Sequence, residues 1–278
     1  QQTHKKGAVT ADASVNRIGS SSNSLSGGSV TVNDNLVSAN AIGATASNSA
    51  QLKASGEISG GGFPPSVAIV ENQQTHTKGK VAATAGAGLV GSRTTSASDA
   101  ALVVSGNQFA ANASSQSATN VASVQGNQLN TVGAGVANVQ THEAGNVSAT
   151  VANMVPASPA PVPYAMHIGL QADSASGGNL TISGNQGAAE AIVNQASNQV
   201  QTSGSSFNNV AAVLENQQTV NKGDASALTL VNLGMTGKTT AGTDTVRSNG
   251  NEVVISNNVF SANASQNQAS NSMVLKAD

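Results

Sequence analysis

His4, His76 and His142 each follow the Thr of a Gln-Thr pair, so imidazoles recur at one place in the chain. A row of imidazoles could bind a metal or sense pH. Val220 takes that place in a fourth copy. If a unit of about seventy residues winds as three coils, equivalent residues lie ~14 Å apart and no single metal bridges them. If a unit forms one broad layer, the histidines stack in contact. The plainer expectation is of solvated residues inherited by duplication, and lone His167 reads the same way.

Other reactive groups are sparse. Glu71 and Glu215 occupy equivalent places and so report duplication, not an acid–base pair. Asp99, Glu143, Asp173, Glu190 and Asp244 show no cluster at coil spacing, as a polysaccharide hydrolase or lyase would need. Gly60-Gly61-Gly62 lacks the Gly-Lys-Ser/Thr of a phosphate loop, and no Ser lies in a nucleophile elbow. Without cysteine there is no disulfide or thiol chemistry. The expectation is a chain that is not an enzyme and uses no cofactor or metal.

The elements that position these residues are repeats. One pattern carries Asn35, Asn107, Asn185 and Asn258 after a pair of apolar residues, such as Leu102 and Val104. Two spaced alanines follow, and each copy closes on Ala-x-Asn at Asn48, Asn120, Asn198 and Asn271. A second pattern alternates with the first. It holds Gln2, Gln74, Gln140 and Gln218, each before a Thr, with a glycine four residues after that Thr at Gly7, Gly79, Gly145 and Gly223. Lead-ins such as Ile69-Val70-Glu71-Asn72 and Val136-Ala137-Asn138 precede later copies. The alternation gives four two-part units, 1–65, 66–131, 132–209 and 210–278, in one continuous repeat domain.

Within a unit the pattern is that of strands. Val9–Val15, Val30–Val32 and Val147–Val151 alternate apolar and polar residues, and Gly-rich turns separate the runs. Ala188-Ala189-Glu190-Ala191 could pass for helix, but its counterparts carry Ser and Asn, so it is read as strand. There is no Trp, one Tyr and four Phe, too few large side chains for a sandwich core of 278 residues. Small inward residues suit a flattened β-solenoid, in which Asn and Gln at equivalent places form amide ladders. The asparagines and glutamines above are the ladder candidates, and the four glycines the repeat turns. Phe109, Phe207 and Phe260 are expected to plug gaps in the stack.

Charged residues make up 9% of the chain and the net charge is −2, with no basic stripe for nucleic acid. No apolar segment is long enough to span a bilayer. Pro156–Tyr164, with four prolines, forbids a ladder strand and reads as an extended loop, and Phe63-Pro64-Pro65 is a milder break. The chain opens on Gln1, as a mature form that has lost a leader would. Both ends fall inside repeats without evident caps, so copies are expected to add head-to-tail.

Asn107-Gln108-Phe109-Ala110-Ala111-Asn112-Ala113, Asn72-Gln73-Gln74-Thr75 and Asn194-Gln195-Ala196-Ser197-Asn198-Gln199 resemble bacterial functional-amyloid subunits. These are the curlin and Fap-type fibre proteins, with the repeat-containing holdfast-anchoring proteins of stalked bacteria. Curlin repeats are shorter, and Fap-type subunits carry a terminal Cys-x-x-Cys that this chain lacks. The resemblance implies a class: a secreted, extracellular or cell-surface fibre of biofilm matrix or attachment. The partners it implies are further copies, a surface anchor or matrix polysaccharide. The alternative is a monomeric adhesin that binds a glycan or receptor on one sheet face. An ice-binding solenoid would need Thr-x-Thr rows, which Thr94-Thr95 and Thr239-Thr240 do not supply.

Overall fold

The computed structural model describes residues 1–60, 66–155, 161–236 and 247–277. Pro156–Ala160, Phe63–Pro65, Gly61, Gly62, Thr239, Thr240 and Asp244 lie outside the described residues. The described chain is an all-β solenoid of parallel strands stacked in register. Each unit contributes one layer. Gln74 lies 72 residues from its equivalent Gln2 and 66 from Gln140, and Gln140 lies 78 from Gln218. Paired strand residues therefore sit on their own counterparts one strand spacing away, about 4.8 Å.

Each layer is a flattened loop. One wall is the long sheet of Leu36–Lys53, Gln108–Gln125, Gln186–Gly204 and Val259–Ala277. The facing wall has two parts in line. The first sheet comprises Gln2–His4, Glu57–Ser59, Ser66–His76, Gln128–His142 and Ser206–Val220. The middle sheet comprises Val9–Ser21, Val81–Arg93, Val147–Val151 with Met166–Gln171, and Ala225–Thr229 with Val231–Thr236. Two short sheets, represented by Ser96–Ser98 and Ala101–Ser105, close the end of the loop. The stretch 188–191 is strand, as its counterparts required.

Two apolar clusters hold the walls together. In one, Val81, Ala83, Ala85 and Ala87 of the middle sheet meet Phe109, Ala111 and Ala113 of the long sheet. In the other, Ala68, Val70, Val132 and Leu129 of the first sheet meet Ala122, Val124 and Val200. Alanine and valine bring the walls close, and columns of unequal side chains fill what remains. Phe109 is in register with Gly187, which lies against Phe260; a Cβ on Gly187 would come within 2.6 Å of the Phe260 ring. Phe207 packs against the second cluster. The three phenylalanines thus plug the stack as expected.

The Pro-rich insert corrects one expectation. Val162–Tyr164, including Pro163, forms a short antiparallel hairpin with Asn153–Val155, with Pro163 opposite Met154. A two-stranded ribbon leaves one edge of each strand unpaired, so a proline without an N–H is accommodated there. Val162 and Tyr164 are exposed on this hairpin.

Candidate functional site

Between the apolar clusters runs a buried polar band. From the first sheet come Asn72, Gln74 and His76 and their counterparts Asn138, Gln140 and His142. From the long sheet come Ser115, Gln116, Asn120, Asn194 and Asn198. Alternation along the first-sheet strand aims its three polar residues inward. The long strand changes phase at Ser115–Gln116, where both residues are buried and the ladder pairing skips Ser115. This slip, like a bulge, re-aims Ser115 at the facing wall.

The asparagine ladders run in one direction. Asn35 Nδ2 donates to Asn107 Oδ1 at 2.7 Å, Asn107 to Asn185 at 2.8 Å, and Asn185 to Asn258 at 2.9 Å. Each acceptor oxygen also takes the backbone N–H of the previous asparagine, as Asn107 Oδ1 takes that of Asn35 at 3.2 Å. The residue before each asparagine is left-handed: Asp34, Gly106, Gly184 and Asn257 have φ between 55° and 66°. This ladder therefore fixes the corner where a short sheet turns into the long one. Asn48, Asn120, Asn198 and Asn271 form a second ladder, with steps of 2.8, 2.8 and 2.9 Å.

A third row, Asn72, Asn138 and Asn216, faces the second with steps of 2.6 Å. Asn48 and Asn120 cross-link the two rows at 3.2 Å. In the sequence Asn72, Asn138 and Asn216 stand only in the lead-ins, two residues before the Gln of each Gln-Thr pair. Their shared spacing before Gln-Thr was the signal, and the first copy, which lacks a lead-in, hid it.

The glutamine ladder runs the opposite way. Gln74 Nε2 donates to Gln2 Oε1 at 3.1 Å, Gln140 to Gln74 at 2.8 Å, and Gln218 to Gln140 at 2.7 Å. Each also donates across the coil to a long-sheet carbonyl, as Gln140 does to Gln195 O at 2.9 Å. The repeat-turn glycines adopt φ of 118° to 140°. A Cβ on Gly79 would lie 1.9 Å from Gly7 O, and on Gly145 1.8 Å from Gly79 O; Gly223 meets Gly145 O in the same way at 2.0 Å. A second row, Gly19, Gly91, Gly169 and Gly234, has the same character.

The histidines overturn the expectation of solvated residues. His4, His76 and His142 stack with ring centroids 4.8 and 4.7 Å apart and planes within 9°. His76 and His142 are fully buried, and His167, in the middle sheet, is buried as well. One layer per unit brings the stacked rings together. Because a carbonyl only accepts, Nε2 carries the proton and donates to Gly79 O from His76 and to Gly145 O from His142, at 3.2 and 2.8 Å. Ser115 Oγ lies 2.9 Å from His142 Nδ1 and donates to it. At the equivalent place in the preceding layer is Gly43, which has no hydroxyl, and His76 Nδ1 is left without a partner. In the last layer the pair of places holds Val193 and Val220.

Burial holds His76 neutral: its pKa falls from 6.5 to about 4, only partly offset by the bond to Gly79 O and lowered further by His142 and His4. Burial lowers His142 and His167 too. A neutral fold and a protonatable unfolded chain set the sign. Stability is full above the unfolded value of 6.5 and falls as pH drops towards 4, by about 2–3 kcal/mol for His76. Urea unfolding midpoints measured from pH 7.5 to 5 should fall accordingly. His76→Val, which copies Val220, should flatten that fall; an unchanged slope would refute the assignment.

Among the described residues no three His, Asp or Glu converge as metal ligands. Glu71 and Glu215 are separated by Ala137 in the intervening strand. On the outer face of the first sheet, Gly133 and Gly135 floor a shallow apolar groove of about 270 Å³ walled by Val67, Ile69 and Val213. No protein-family model, no curated protein and no solved structure matches this chain.

Proposed function

We propose that this chain is the non-enzymatic structural subunit of a secreted extracellular fibre, in biofilm matrix, surface attachment or a cell-surface appendage. The subunit grows head-to-tail by β-strand stacking. The observation that carries this reading is the register of the stack. Every layer repeats the same backbone register and, at the ladder positions, the same amide side chains, so each edge layer is a template for another copy of itself. Exposed apolar residues of the last layer, Val253, Val254, Ile255 and Val259, support it, because a further layer would cover them. Buried amide ladders add hydrogen bonds along the axis, and a fibre breaks only when many are lost together. Purified chain should elongate from preformed seeds without added cofactor, followed by sedimentation and electron microscopy. A chain that stays monomeric at high concentration contradicts the proposal.

The groove over Gly133 and Gly135 favours one other reading, a monomeric adhesin that binds a glycan or receptor on that face. It predicts a persistent monomer whose ligand binding is lost when Gly135→Gln fills the groove.

A further inference from the structure

Resting on the fibre reading, we infer that copies join in one polarity only, last layer onto first layer, and that Asn271 and Gln2 carry the side-chain atoms that lock the joint. The ladders are directional, so their two ends differ chemically. In the asparagine ladders each layer donates to the layer that follows. The first layer therefore ends in acceptors, Asn35 Oδ1 and Asn48 Oδ1, to which no described residue donates. The last layer ends in the Asn271 amide, whose Oδ1 accepts from Asn198 while its Nδ2 has no acceptor among the described residues. The glutamine ladder is reversed. Gln2 accepts through Oε1 from Gln74 and holds Nε2 spare, while Gln218 donates through Nε2 and holds Oε1 spare.

Laid last layer onto first, the edges are complementary in both senses. Asn271 Nδ2 meets Asn48 Oδ1 of the incoming copy, and that copy's Gln2 Nε2 meets Gln218 Oε1. Valine and histidine adjoin harmlessly where Val220 meets the incoming His4, as Val220 already follows His142 within the chain. The glycine rows continue as well. A Cβ on Gly7 meets nothing within 4 Å in one copy, whereas its row mates lie against the carbonyl of the layer before them. Pairing like edges about a two-fold axis fails instead. It runs the strands antiparallel, takes every ladder residue off its counterpart, and leaves the spare acceptors of Asn35 and Asn48 without donors.

Two substitutions isolate the joint. Asn271→Asp keeps the oxygen that accepts from Asn198 and replaces only the outward amide nitrogen with an anionic oxygen. Gln2→Glu does the same beside Gln74. Both residues are exposed in the single chain, so unfolding midpoints should match the unsubstituted protein. In the joint each places a carboxylate against a carbonyl oxygen, and seeded elongation should slow at least about tenfold. Each variant keeps one good edge, and the good edges are opposite. Mixed one to one, the two should form a heterodimer and nothing longer, seen by sedimentation velocity. If the unsubstituted chain forms filaments and either variant elongates at the same rate, or the mixture yields no dimer, the polarity is wrong while the fibre reading stands. If the unsubstituted chain forms no filaments, the fibre reading falls and the joint falls with it.

Discussion

Gly91→Ala is expected to destabilise the fold by about 4 kcal/mol, a large effect for a single methyl group. Gly91 has a φ of 142°, where an L residue is strained, and a Cβ there would lie 1.9 Å from Gly169 O. That oxygen belongs to the backbone of the next layer, which cannot retreat without breaking ladder bonds on both of its edges. The strain and the clash therefore add. Gly135→Ala is the control. Its φ is not positive, its new methyl group would meet Val213 O only at 3.6 Å, and it lies on the open face of the first sheet. The control should be neutral or stabilising by about 0.5 kcal/mol, because alanine narrows the unfolded ensemble. Urea unfolding at pH 7.5 separates the two cases. Equal midpoints would mean that the layers are not packed in this register.

Asn107→Asp should cost about 3–5 kcal/mol, and Asn185→Asp a similar amount. Asn107 is fully buried. Its Oδ1 accepts two bonds from Asn35, which an aspartate would preserve. Its Nδ2 donates towards Asn185 Oδ1, Val32 O and Ser105 O, at 2.8, 3.1 and 3.2 Å. Aspartate would turn that donor into a charged oxygen facing three other oxygens. The loss is therefore a buried, unpaired charge and not merely a missing hydrogen bond. Any filament built from the variant should dissociate at lower denaturant concentration than the unsubstituted one. Unchanged stability in chemical unfolding would place Asn107 in water and remove the ladder from the account.

The repeats and ladders were legible in the sequence because of the register itself. When each residue sits on its own counterpart, an amide at one layer is best satisfied by an amide at the next. Asn35, Asn107, Asn185 and Asn258 are therefore the same residue for a physical reason. The strand alternation and the scarcity of aromatic residues were legible for the same reason, since a narrow coil admits little else. The number of coils per unit was not. Gly-rich turns mark where a strand ends, but do not say whether the chain turns within a layer or climbs to the next.

That one unknown concealed the histidines. With one layer per unit, His76 and His142 lie in contact and indoors. Ser115, the partner of His142, is 27 residues away, beyond any local pattern. The only hint was a paired change, in which valine replaces histidine at Val220 in the layer whose facing place is Val193. The second glycine row, Gly19, Gly91, Gly169 and Gly234, was missed because glycine abounds in this chain and only the layer contact distinguishes these four.

The central claim is that one unit makes one layer and that copies extend the same stack. Helical reconstruction of filaments grown from the purified chain by cryo-electron microscopy tests it most directly. Four layers per chain at the strand spacing require a rise of about 19 Å per subunit, with continuous parallel sheets across each joint. A rise of roughly three times that value, strands running along the fibre axis, or a chain that forms no filament from seeds would contradict it.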